Sequence, residues 1–305
     1  MSGMRRALGG LILGGAIACA GLAALAPARA GADDFQRSVP AEPGGTLRVR
    51  LDVGSVQVEA HAEDAVRVDA RTSGAGAGRM DFELRREAET VELVGRADGL
   101  GLLSGLLGGP RVHVRVRVPE AFNLDVETQG GSVDVERLAG TIRARTSGGS
   151  LGVEGAQGPV ELRTSGGSIR AESVEGDLRA TTSGGSIRAS DVAGQVEAET
   201  SGGSITLLDV RGPVRARTAG GSITARFRGA PAGSLETSGG SVEAAFPEDA
   251  ALDLDARTSG GRVEVEHPIL VQGSSGPSQL AGRINGGGPT LRLRTSGGNI
   301  RVQID

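Results

Sequence analysis

From residue 128 onward, apolar and polar residues alternate along the chain in short blocks, and the blocks recur. A Thr-Ser-Gly-Gly-Ser motif or close variant begins at Thr128, Thr146, Thr164, Thr182, Thr200, Thr218, Thr237, Thr258 and Thr295. The first five intervals are 18 residues, and the next three are 19, 21 and 37. Counting each Thr as zero, position +5 is always aliphatic, as in Val133, Ile187 and Ile300, and +7 is Val, Ala or Leu. The second half of each regular coil places apolar residues at +10, +14 and +16, as in Val174, Leu178 and Ala180, with Gly at +12. Within each half the inward positions alternate with polar ones, which is the two-residue period of a strand with one buried face. The parity switches once, across the Ser-Gly-Gly-Ser corner. Each coil is therefore predicted to run strand, bend, strand, with glycines where the corner needs positive φ or close backbone approach. The fold class expected is all-β, a β-solenoid of 18-residue coils. A disordered Gly/Ser tract would not hold fixed aliphatic positions. A triangular hexapeptide helix would want aliphatics every six residues, which +5, +10 and +14 do not supply.

One outward position indicates how the coils meet. Position +15 reads Arg143, Glu161, Arg179, Glu197, Arg215, opposite charges in strict alternation. Parallel in-register stacking would place them about 4.8 Å apart, where opposite charges help and like charges hurt. Duplication of a two-coil unit would leave the same alternation. These five residues form the candidate contact ladder.

Residues 31–118 read as a β-rich N-terminal cap, with strand-like alternation at Thr46 to Val53, Val56 to Ala60, Val66 to Ala70, Phe82 to Arg86, Val91 to Val94 and Val112 to Val118. Solenoids need such caps to cover an open end. A Leu- and Gly-rich stretch, Arg96 to Pro110, interrupts the cap and reads as a loop, or as an apolar contact for a membrane or partner. The repeat domain spans 119–305, with a Gly/Ser/Pro-rich insertion at 266–290.

Residues 1–30 read as a signal peptide: Arg5 and Arg6, an apolar stretch from Leu8 to Leu25, then Ala28-Arg29-Ala30 as a processing site. The apolar stretch could also serve as an uncleaved anchor. Cys19, the single cysteine, stands in a loose lipoprotein-like context (Ala16-Ile17-Ala18-Cys19) and is the alternative attachment point if acylated. Membrane association is expected only by these two routes. The expected location is exported, with periplasmic, outer-membrane-associated and cell-surface destinations all open.

Composition narrows the function. Removing Arg5, Arg6 and Arg29 leaves a chain of net charge −7 with no Lys, Trp or Tyr. Nucleic acid wants a basic face and stacking aromatics, so it is not an expected partner. With five Phe, the interior must be built from Val, Ile, Leu and Ala.

Chemistry-bearing motifs are few. Gly148-Gly149-Ser150-Leu151-Gly152 matches a nucleophile pattern, but the final Gly becomes Arg170, Arg188, Thr206 and Thr224 in later coils, and no strand-to-helix elbow is predicted. His61, His113 and His267 lack metal-ligand spacing. The corners lack the Asp of calcium-binding repeats, and a P-loop needs a Lys. Glu136, Glu154 and Glu172 form a column at +8 and read as a solvated face. No catalytic residue, cofactor or metal site is expected.

Three features together resemble the bacterial domain-of-unknown-function 4097 family of β-strand repeat proteins, described as candidate adhesins. They are a strand following Gly44-Gly45-Thr46, the segment Val112 to Glu127 with Pro119-Glu120 and Leu124-Asp125-Val126, and tandem Thr-Ser-Gly-Gly-Ser-Ile coils. The resemblance covers roughly residues 35–305. It implies an exported β-helical protein with no established activity and no catalytic residues to carry over. The function expected is a structural or adhesin-like module whose exposed Ser, Thr, Arg and Glu ladders make multivalent contacts with an envelope glycan or protein. The alternative is an envelope-stress or signalling domain that binds a protein or peptide through the cap and the Leu-rich loop. A sugar-cleaving enzyme on a β-helix and ice binding through ranked Thr are weaker alternatives.

Overall fold

The computed structural model describes residues 28–31, 34–74, 80–97, 110–266 and 272–304. Cys19, most of the expected signal peptide, the Leu-rich core Gly99 to Gly109, and His267 lie outside these residues. The fold is an all-β solenoid. Each regular coil supplies one strand to each of two sheets, as the Thr182 coil does with Ile187–Val192 and Val196–Thr200. Sheet A, holding strands such as Val196–Thr200, has 15 strands; sheet B, holding those such as Ile187–Val192, has 13. Among the described residues there is no helix.

The inward columns predicted from the alternation are buried. Val133, Ile205, Ile223 and Val242 at +5 are 0% exposed, and the +7, +10, +14 and +16 columns close the interior between the sheets. All five Phe are buried, and all lie toward the ends of the stack (Phe35, Phe82, Phe122, Phe227, Phe246). Between Phe122 and Phe227 the core is aliphatic, so coils of equal width can repeat without a bulky ring forcing them apart.

The motif Thr also points inward and is not part of the surface. Its parity is that of +14 and +16, and Thr128 through Thr295 are all buried. The hydroxyl is satisfied by the neighbouring coil: Thr200 Oγ1 donates to the Gly185 carbonyl at 2.8 Å and accepts from the Gly203 amide at 3.4 Å. Thr164, Thr218 and Thr237 repeat both bonds. A buried hydroxyl is tolerated because the adjacent coil supplies an acceptor at each step. Thr200→Val, nearly isosteric, should therefore cost about 1–3 kcal/mol by orphaning the Gly185 carbonyl. Urea unfolding measures this; an unchanged midpoint would show the Thr ladder to be incidental.

At the corner, close approach rather than positive φ explains the second glycine. A Cβ on Gly149, Gly167, Gly185, Gly203 or Gly221 would lie well inside van der Waals contact with the carbonyl of the equivalent glycine one coil back. The other turn of the coil uses left-handed backbone at +9, where Arg137, Ser173, Asp191 and Asp209 have φ of 52–57° and Gly155 has 70°.

Sequence order and spatial order part company at both ends. Thr46–Leu51 stacks in parallel between Thr90–Ala97 and Asn123–Thr128, and Ser55–His61 between Arg111–Pro119 and Val133–Glu136. The stretch before residue 119 thus supplies two stacked coils as well as capping strands. At the other end, Thr290–Thr295 lies between Gly233–Thr237 and Leu252–Thr258, and Ile300–Ile304 between Val242–Phe246 and Val263–Val265. The last coil in sequence is therefore the second last in space. Stacked on both faces, it keeps Leu291, Leu293, Ile300 and Val302 at 0% exposed, whereas Val263 and Val265 of the Leu252 coil are only partly buried. The Leu252 coil is one-sided: its outer neighbours are antiparallel strands, Gln279–Ile284 and then Gln272–Gly276, which lie within the expected insertion. Antiparallel strands also close the other end, Met80–Glu87 and Ala28–Gly31 in sheet A, Ala65–Ser73 and Asp34–Pro40 in sheet B. Sheet A holds eleven parallel strands in succession, a rod of about 48 Å at the usual strand spacing.

Candidate functional site

The outer face of sheet A carries the predicted ladder. Arg143 faces Glu161, Glu161 faces Arg179, Arg179 faces Glu197, and Glu197 faces Arg215, all in parallel register. The column extends through Asp125, Arg48 and Glu92 on one side and through Ser234, Arg292 and Asp255 on the other. At the N-terminal end the alternation follows the spatial order and not the sequence order. Stacked in sequence order, Glu92 would sit beside Asp125; the order found puts Arg48 between them.

A second outward column, two residues further along the strands, supplies flanking charges. Glu161 is held by Arg163 at 2.8 Å, Arg145 at 3.3 Å and Arg143 at 3.6 Å. Asp125 is held by Arg50 at 2.8 Å and Arg48 at 3.7 Å, while Asp255 pairs with Arg257, Arg292 and Arg294. Arg179 and Glu197 form a simple pair at 2.7 Å. Arg215 makes no ion pair among the described residues; it lines a shallow cleft of about 300 Å³ with Gln195, Ser234 and Arg292, where the alternation lapses at Ser234. A neighbouring cleft of about 250 Å³ runs beside Arg143, Glu161, Arg179 and Glu197.

Burial pushes the Asp125 carboxyl up, but the Arg50 hydrogen bond and the charges of Arg50, Arg145 and Arg48 together outweigh it, leaving its pKa below the ordinary value. A carboxylate depressed in the folded state adds stability above its unfolded pKa of about 4 and loses it as pH falls through the folded value. Asp125→Asn should therefore lower stability by about 1 kcal/mol at neutral pH and by much less at about pH 2. Thermal melts at the two pH values test this, and an equal loss at both would assign the effect to packing rather than charge.

Sheet B presents a different outer face. Glu59, Glu136, Glu154 and Glu172 stack in register as a like-charged column. Burial, then the charge of Glu136, raises the pKa of the adjacent Asp134. Ser150, within the nucleophile-like motif, has a structural partner: its hydroxyl accepts the Ser168 amide at 3.3 Å. His61 Nε2 lies 2.8 Å from the Ala65 carbonyl in a turn. Among the described residues no group of three or more His, Cys, Asp or Glu side chains is placed to hold a metal ion. Among the same residues no helix is long and apolar enough to cross a membrane.

The stacked coils, their Thr-Ser-Gly-Gly-Ser corners and the two reordered end coils fall within a single family model, described as Toastrack DUF4097, which matches residues 46–303. The chain belongs to this family. The matched span runs from the first reordered coil to the last, so the swapped ends lie inside the Toastrack unit. No curated protein matches the chain. Among solved structures, a candidate adhesin from Bacteroides fragilis is 12% identical, covering 90% of this chain and 97% of its own with a TM-score of 0.41. A candidate adhesin from Parabacteroides merdae is 10% identical with the same coverage and a TM-score of 0.49. A candidate cell adhesion protein from Clostridium sporogenes is 12% identical, covering 90% of this chain and all of its own, with a TM-score of 0.24.

Proposed function

We propose that this Toastrack protein is a non-enzymatic, exported contact module that binds an extended envelope glycan or protein across the outer face of sheet A. The observation that carries this reading is the ladder through Arg143, Glu161, Arg179, Glu197 and Arg215, kept in register and alternating in charge along the stack. Each exposed pair is worth about 0–1 kcal/mol, so a ligand can displace one at little cost. Repetition at about 4.8 Å lets a polymer with repeating charged or polar groups engage many weak sites at once. The broad, shallow clefts beside the ladder suit such a chain better than a compact small molecule, which prefers an enclosed pocket.

The test is a screen of the purified protein against glycan, peptidoglycan and matrix-protein arrays at several coating densities. Weak, density-dependent binding that survives each single Ala substitution in the ladder is expected. Tight binding to one ligand, lost on deletion of Gly99 to Gly109, would replace this reading with partner docking through the cap.

A further inference from the structure

The charge ladder of sheet A lacks one rung. Along the stack its outward column runs Glu197, Arg215, Ser234, Arg292, Asp255, so Ser234 stands where the alternation calls for a carboxylate. Two arginines therefore flank an uncharged residue, each one strand spacing of about 4.8 Å from it. The carboxylates nearby are engaged elsewhere. Glu197 pairs with Arg179 at 2.7 Å, Glu236 with Arg217 at 2.6 Å, and Asp255 with Arg294 and with Arg257 at 3.3 Å. Arg292 reaches Asp255 only at 4.0 Å, and Arg215 has no ion pair among the described residues.

The gap is also open space. The interval from Thr218 to Thr237 is 19 residues instead of the regular 18, and Gly233 stands at the inward position beside Ser234. Gly233 has φ +116°, and a Cβ there would meet the Val214 carbonyl, so this position stays without a side chain. Over it lies the cleft of about 300 Å³, whose lining holds two guanidinium groups, Arg215 and Arg292, and no carboxylate. Gln195, Ser234 and Thr290 add an amide and two hydroxyls. Arg215 follows the buried Val214, Ser234 precedes the buried Leu235, and Thr290 and Arg292 bracket the buried Leu291. By strand alternation all four side chains leave the sheet on its outer face.

We propose that this missing rung is a seat for the carboxylate of an acidic sugar, which completes the alternation between Arg215 and Arg292. Guanidinium groups pair strongly with carboxylates, and the amide and hydroxyls beside them suit the ring hydroxyls of a uronate. An acidic peptide side chain would use the cations and leave those neutral groups idle. The seat deepens the proposed function by naming acidic glycans as the ligand class, and rests on that reading for the polymer to which the sugar belongs.

The experiment titrates the purified protein with galacturonic acid, with galactose and acetate for comparison, and follows the arginine Nε–H signals by NMR. The variants are Ser234→Glu and Ser234→Gln, each checked for folding by circular dichroism. Galacturonate should shift Arg215 and Arg292 but not Arg163, which is tied to Glu161 at 2.8 Å, and galactose should shift none of them. Ser234→Glu supplies the rung from within the chain, so galacturonate binding should weaken about tenfold or more. The same variant should melt about 1–3 °C above Ser234→Gln, an advantage lost in about 1 M salt. Arginine signals that do not respond, binding unaffected by Ser234→Glu, or a Glu variant no more stable than the Gln variant overturns the proposal. Acetate binding as tightly as galacturonate would overturn the assignment to a sugar. Surfaces coated with polygalacturonate separate the two readings: one lost rung should weaken that binding less than about threefold. If galacturonate binds as described and no coated surface does, the seat stands and the multivalent reading falls.

Discussion

A chain ending at Pro289 is expected to lose far more than its last coil. Thr290–Thr295 and Ile300–Ile304 stand between the Gly233 coil and the Leu252 coil in both sheets, so their removal takes away the pairing partner of each. Leu291, Leu293, Ile300 and Val302 are fully buried, and each large aliphatic side chain is worth about 1.5–3 kcal/mol when buried. Losing the four leaves the Leu252 strand and the antiparallel strands of Gln279–Ile284 and Gln272–Gly276 without a floor. In a solenoid each coil is stabilised mainly by its neighbours, so the loss should be local. Limited proteolysis of the truncated protein should cut rapidly within 247–289 and spare 133–246, with an early melting phase in circular dichroism. If 252–284 stays protected and a single transition persists, the neighbouring coils have closed the gap and the last coil is no wedge.

The second large effect is confined to one atom. Gly185→Ala should destabilise the protein by about 3 kcal/mol or more, because the new Cβ meets the Gly167 carbonyl and the coils cannot separate without breaking the ladders on either side. Gly184→Ala, one residue earlier, meets nothing nearer than the Gly166 carbonyl at 3.5 Å. There the lost freedom of the unfolded chain should leave stability unchanged or improved by about 0.4–1 kcal/mol. Urea denaturation of the two variants separates these cases. Equal effects would mean that glycine is used here for turn flexibility and not for close stacking.

How far the sequence carried these conclusions depends on distance along the chain. The middle coils were legible because their information is local: alternation fixes which residues face inward, and a constant 18-residue interval fixes register, so Arg143 meets Glu161 and Arg179 meets Glu197. The same parity places Thr beside +14 and +16 on the inner face, a signal overshadowed by its polarity. The hydroxyl could be buried only because a glycine carbonyl of the preceding coil accepts from it.

The ends were not legible in the same way. Nothing near Thr290 says that it pairs with Gly233–Thr237 and Leu252–Thr258 at once, since that depends on which coil is two-sided. A trace did exist in the charges: Glu92 and Asp125 want a cation between them, and Arg48, earlier in the chain, is the residue found there. Likewise, nothing local says that Arg67 stands opposite Arg117; only the antiparallel register of the cap pairs those two separated strands.

The central claim is that the outer face of sheet A acts through many weak contacts. It is tested most directly by comparing the five single Gln variants at Arg143, Glu161, Arg179, Glu197 and Arg215 with the variant carrying all five changes. The measurement is binding to peptidoglycan and matrix-protein surfaces coated at several densities. The account predicts that each single change weakens binding less than about threefold and that the combined variant, still folded, loses density-dependent binding altogether. A single change that abolishes binding, or a combined variant that binds as well as the original protein, would contradict it.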